Sequence, residues 1–205
     1  MVYRLTGKLD QAKADFTKVI ELRPKSADAY VERGHVFLQQ KNTEPALKDF
    51  DAAVAADARD LSARCYRACA WMSRKDWPQA IEDYSVILKK QPNDTNALER
   101  RGFAERMAGN YPEAVEDFNK LIKKSPDAEA YRRRAYVYGL MGQNDKAIAD
   151  LKSVLKEKSD DRDAAKQLKI FERRAGTTPL KASPTKPPAA HPKNPRPTPA
   201  ASPTA

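Results

Sequence analysis

Two cysteines, two histidines and seven glycines among 205 residues leave little material for metal, thiol or phosphate chemistry. Cys65 and Cys69 are not a Cys-x-x-Cys pair, and one helical turn between them suits a disulfide poorly. No glycine-rich phosphate loop occurs. His35 has no registered serine partner for a Ser–His–acid arrangement, and His191 belongs to the terminal segment. An enzyme, a metal and a cofactor are therefore not expected. Long apolar runs are missing as well, so no membrane span is expected. No basic segment followed by an apolar stretch opens the chain, which shows no secretory signal and leaves the cytoplasm as the default compartment.

What the chain has instead is repetition. The motif Ala-x-x-x-aromatic recurs at Ala12/Phe16, Ala46/Phe50, Ala80/Tyr84 and Ala114/Phe118, with Ala147/Leu151 one residue short of register; the period is 34, then 33. A second column, Pro24, Ala58, Pro92, Pro126 and Ser159, marks unit ends, and a third, Gly34, Ala68, Gly102 and Ala135, holds small residues. Around Gly109–Pro126 the pattern is clearest: a turn, Pro112 in a first helical turn, then Ala114, Phe118, Leu121 and Ile122 on one face. A helix with one such stripe cannot bury it alone, and stacking copies solves that.

Tyr30-x-x-Arg33-Gly34-x-x-Phe37 and Tyr131-x-x-Arg134-Ala135-x-x-Tyr138, with the Ala and aromatic columns, resemble the tetratricopeptide repeat family over roughly residues 1–160. The resemblance implies an all-α, right-handed solenoid of helix–turn–helix units. A partial unit over 1–26, four complete units over 27–160, a capping helix over 161–176 and a disordered tail over 177–205 are expected. Arg stands where the family usually has Leu before the small residue. Glu105 replaces an expected aromatic, so its unit is expected to pack less tightly. Met1 falls midway through a first helix, which reads as either a frayed half-repeat or, the favoured expectation, a fragment of something longer. Asp28, Thr95 and Asp127 are the expected caps of first helices. Pro45, Pro78 and Pro112 fall in the first turns of second helices.

The capping helix carries Ala164, Ala165, Leu168 and Phe171 on one stripe and Lys166, Gln167, Lys169 and Arg173 on the other. Beyond it lie nine of the fifteen prolines, four basic residues (Lys181, Lys186, Lys193, Arg196) and no acid. Such a segment buries too little to offset its ordering entropy. It holds four of the charges behind the net +10, and the repeats mix both signs. Binding of nucleic acid or another polyanion through this tail is thus a secondary reading, and a regulatory piece of a larger protein is another.

Two columns sixteen residues apart, Arg33, Arg67, Arg101, Arg134 and Asp49, Asp83, Asp117, Asp150, predict one ion pair per hairpin, tying helix to helix. A second stripe on the first helices reads Val31/His35/Leu38, Cys65/Cys69/Met72, Glu99/Phe103/Arg106 and Arg132/Tyr136/Gly139. The resemblance places these rows on the concave groove, apolar at one end and basic-aromatic further on. A protein or peptide segment held by Val31, His35, Leu38, Cys65, Cys69, Met72, Phe103, Arg106, Arg132 and Tyr136 is the expected function. Arg106 and Arg132 would prefer acidic residues, tempered by Glu99 and Glu129. The Lys/Asn clamp of chaperone-binding relatives has no counterpart in these rows, so that mode of binding is not expected.

Overall fold

The computed structural model describes residues 8–177, and these form ten helices and no strand. They are α1 (Leu9–Leu22), α2 (Ala27–Gln39), α3 (Thr43–Ala56), α4 (Leu61–Ser73), α5 (Trp77–Lys90), α6 (Thr95–Ala108), α7 (Tyr111–Lys124), α8 (Ala128–Leu140), α9 (Asn144–Glu157) and α10 (Arg162–Thr177). Each helix packs on the next, giving the hairpins α2/α3, α4/α5, α6/α7 and α8/α9 between α1 and the closing α10. The start of the partial unit and nearly all of the proline-rich tail lie outside the described residues. No described helix is long and apolar enough to cross a membrane.

One turn is used four times. Lys41, Lys75, Gly109 and Gly142 adopt φ of 61°, 60°, 87° and 70°, the left-handed region. The next backbone N–H then donates back to the carbonyl of Phe37, Trp71, Glu105 or Tyr138 at 2.8–3.0 Å, satisfying a helix-end acceptor. The first helices α4, α6 and α8 and the closing α10 start on a recurring aspartate: Asp60, Asp94, Asp127 and Asp161 accept from Ser62, Ala97, Ala130 and Ala164 N–H. Of the expected caps, only Asp127 is in this set. Asp28 is already in the first turn of α2, whose N-cap position is Ser26, and Thr95 is the first residue of α6. Capping-type residues one or two positions apart make such an error easy.

The small-residue column exists because the aromatic column fills its space. A Cβ on Gly34 would stand 2.7 Å from the Phe50 ring, and one on Gly102 3.0 Å from Phe118. Burying each such ring stabilises the hairpin by about 2–3 kcal/mol. The unit containing Glu105 is not looser than its neighbours. Leu98, Phe118, Leu121 and Ile122 join the largest apolar cluster, which runs from Ala68 to Val137. Glu105 itself is buried, and Asn110 Nδ2 donates to its carboxylate at 2.6 Å.

The expected ion pairs form in all four hairpins, each bidentate. Nε and Nη2 of Arg33, Arg67, Arg101 and Arg134 donate to both oxygens of Asp49, Asp83, Asp117 and Asp150 at 2.6–2.9 Å. The remaining Nη1 reaches backward into the preceding unit. It donates to Thr17 at 3.1 Å, Asp51 at 2.9 Å, Ser85 at 3.0 Å and Asn119 at 2.6 Å. Each arginine therefore joins three helices: its own, its hairpin partner and the helix immediately before its own. The aspartates are 1–5% exposed, so the pairs are not surface ornaments.

Asp117→Ala strands the Arg101 guanidinium and is expected to cost about 3 kcal/mol or more in urea unfolding. Burial raises the Glu105 pKa above the ordinary glutamate range, so its charged form opposes folding and stability falls as pH rises through that interval. Glu105→Gln keeps an acceptor for Asn110 and should raise the melting temperature near neutral pH. The gain should vanish below the ordinary carboxylate range.

Candidate functional site

The first helices α2, α4, α6 and α8 meet edge to edge, a second-stripe residue of one against a residue beside that stripe on the next. The His35 ring lies edge-on to Tyr66 of α4 at 4.3 Å and to Phe50 at 5.6 Å. Arg100 Nη1 of α6 donates to Cys69 Sγ of α4 at 3.5 Å. Arg133 of α8 pairs with Glu99 of α6 at 2.8 Å. Residues read as groove-lining thus also seal neighbouring units together.

At the N-terminal end the wall is apolar. Val31 packs against the Ala53/Val54/Ala63 cluster and Leu38 against Phe50 and Ala70, both only partly covered. Cys65 and Met72 sit on the margin of the large central cluster. The cysteines are half-buried rather than core residues, and Cys69 has polar neighbours in Tyr84 and Arg100. Among the described residues no group of three or more His, Cys, Asp or Glu is placed to hold a metal ion.

At the other end the structure gathers Phe103, Arg106, Arg132 and Tyr136 around one open hollow of about 270 Å³, completed by Phe118, Glu129, Arg133 and Gln167. The Arg106 guanidinium lies between two rings, 4.7 Å from the Phe103 centroid and 5.0 Å from that of Tyr136. Each stacking is worth about 0.5–1 kcal/mol at an exposed site and holds the long side chain in one place. Among the described residues Arg106 has no carboxylate partner within ion-pair distance. Arg132 differs. It pairs with Glu129 at 2.8 Å and with Asp161 in the turn before α10, so its charge is already answered. Tyr136 is 47% exposed and offers the largest uncovered ring of the group.

Residues 3–60, 43–95 and 67–129 match one profile described as a tetratricopeptide repeat, and residues 128–161 match a second with the same description. The chain belongs to the tetratricopeptide repeat family. Solved structures agree on the fold. The repeat protein YrrB, described as having an unusual peptide-binding site, is 21% identical with a TM-score of 0.73, covering 82% of this chain and 87% of its own. MamA is 20% identical with a TM-score of 0.71, covering 77% and 92%. TTC0263, a thermophilic repeat protein of Thermus thermophilus, is 19% identical with a TM-score of 0.55, covering 84% and 94%. No curated protein sequence matches.

In this tetratricopeptide repeat array Gly139 is not an open groove position. A Cβ there would stand 2.4 Å from the Phe171 ring, so the closing helix α10 plants its aromatic where the fourth row expected access. Gln167, one turn away on the same helix, borders the hollow. The wall ends at α10 because no further unit follows within the described residues to cover that face. A second hollow of about 680 Å³ lies among α5, α6 and α7, lined by Lys89, Lys120, Lys123, Lys124 and Arg101. Arg101 belongs to the Asp117 pair and Lys120 to Glu116. Lys89, Lys123 and Lys124 occupy last helical turns, where positive charge offsets the helix dipole.

Gly139→Leu should expel Phe171 and detach α10 while leaving α2 to α7 folded. Hydrogen exchange is the check: faster exchange is expected in α10, with protection of α4 to α7 unchanged.

Proposed function

We propose that this protein is a non-enzymatic scaffold whose concave first-helix face captures a segment of another protein. The observation that carries the reading is the Phe103–Arg106–Tyr136 sandwich bordering an open hollow. A charged planar group is held by two rings, without a carboxylate partner among the described residues, beside uncovered apolar surface. A partner residue meeting it needs no reorganisation of the wall, which lowers the entropic cost of association. Val31, His35, Leu38, Cys65, Cys69 and Met72 extend that face in the apolar direction.

The partner chemistry follows from which charges remain unanswered. Arg132 is neutralised by Glu129 and Asp161, so Arg106 is the cation to which an acidic side chain would dock. The preferred segment joins an acidic residue to apolar side chains that run toward Met72 and Leu38. The description of YrrB as a peptide-binding repeat protein is consistent with this use of the fold; fold alone never selects the ligand.

Selection of displayed random peptides on the intact chain should recover sequences with that acidic-plus-apolar pattern. Phe103→Ala combined with Arg106→Ala should weaken the selected peptides at least about tenfold, the loss of one hot-spot cluster, with helix content unchanged. Undiminished binding by the double variant would remove the assignment. Binding lost only on deleting residues 177–205, with a steep salt dependence, would favour the tail and a polyanion instead.

A further inference from the structure

The aromatic column reads Phe16, Phe50, Tyr84, Phe118. Its one hydroxyl falls in the hairpin that also holds both cysteines. Tyr84 is fully buried, yet its Oη lies 3.3 Å from Cys69 Sγ, within reach for a hydrogen bond. A phenol in a core needs a partner, and a sulfur serves here.

Arg100 brings a second donor from the next unit. Its Nη1 lies 3.5 Å from the same sulfur while its Nε is bound to Asn96 Oδ1 at 2.8 Å. The neighbouring Arg101 is saturated by Asp117. Arg100, by contrast, makes no ion pair with a carboxylate among the described residues, so the sulfur is the site its charge addresses. Cys65 lies one turn earlier on α4. Two groups from two other helices thus converge on one half-buried thiol in the wall. Such convergence stabilises a thiolate, and partial exposure lets a small reagent reach it.

We propose that Cys69 is a modification site: a nucleophilic thiolate that small hydroperoxides oxidise to a sulfenic acid. The sulfur attacks the terminal peroxide oxygen. An S–O bond forms as the O–O bond breaks, sulfur gives up two electrons, and the peroxide is reduced. The departing hydroxide or alkoxide takes a proton from water. Cys65 stays protonated and lies poorly placed for a disulfide within one helix turn, so the sulfenic acid is the stable first product.

The electrostatics agree with the geometry. The neighbouring Cys65 thiol, with Tyr84 and Arg100 beside it, outweighs burial and holds Cys69 below the ordinary thiol range. Cys65 is driven the other way, chiefly by its hydrogen bond to Cys69 and by burial, with Asp94 adding to the rise and Arg100 opposing it. Tyr84 is raised by burial and by the sulfur it faces.

The test uses the full-length reduced chain. Alkylation by iodoacetamide, mapped by peptide mass spectrometry across pH, should label Cys69 with a midpoint below the ordinary thiol range. Near neutrality Cys69 should react about tenfold or more faster than Cys65. Hydrogen peroxide followed by dimedone should place the adduct on Cys69. Tyr84→Phe, which keeps the buried ring, and Arg100→Met should each move the midpoint toward the ordinary thiol value and slow adduct formation several-fold. Circular dichroism confirms that both variants remain folded. Equal labelling of the two cysteines with an ordinary thiol profile would overturn the proposal, as would no dimedone adduct on Cys69.

Discussion

The array rests on an arginine that has three places to go. Two of its nitrogens lock onto a buried aspartate across the hairpin, and the third reaches the second helix of the unit before. Apolar contact alone tolerates sliding and rotation between helices, because dispersion is nearly indifferent to small shifts. A planar fork with fixed acceptors is not. The same geometry at Arg33, Arg67, Arg101 and Arg134 therefore sets both the hairpin and the stacking angle. Where the series stops, the chain changes device: Leu168 stands one period beyond Arg134, and α10 caps the array with Phe171 instead.

From that frame the character of the first-helix face follows. Side chains one stripe away from the arginines must bridge to the next unit, and they do so by different chemistries along the array. His35 uses an aromatic edge, Cys69 a thiol facing a guanidinium, and Arg106 a stack between rings. Bridging and ligand contact are compatible because each of these groups is only partly covered. A wall already ordered by its own cross-unit contacts would bind the proposed segment at a lower entropic cost.

The fold was legible because repetition multiplies weak signals. One Ala-x-x-x-Phe means little, but its recurrence with a small-residue column defines the hairpin. The sixteen-residue spacing also revealed the Arg–Asp pairs. Their third partner escaped because Thr17, Asp51, Ser85 and Asn119 share a role without sharing a residue type. The site was less legible. Helical spacing found the rows, yet could not show that Asp161, nearly a full period away, neutralises Arg132, or that Phe171 occupies the space over Gly139. Nor could it show that Arg100 crosses a unit boundary to Cys69. Glu105 looked like a packing defect because a pattern of residue types does not display the amide that satisfies it.

Stability in such an array is a sum of unit terms and interface terms, and the arginine contributes to both. Native-state hydrogen exchange on an Arg101→Lys variant separates them most directly, since lysine keeps the charge but has no fork to span Asp117 and Ser85 together. The account predicts that α1–α5 and α6–α10 then open as two separate units, with the amides on either side of the α5/α6 boundary losing their common opening energy. A single cooperative opening, unchanged from the parent chain, would contradict it.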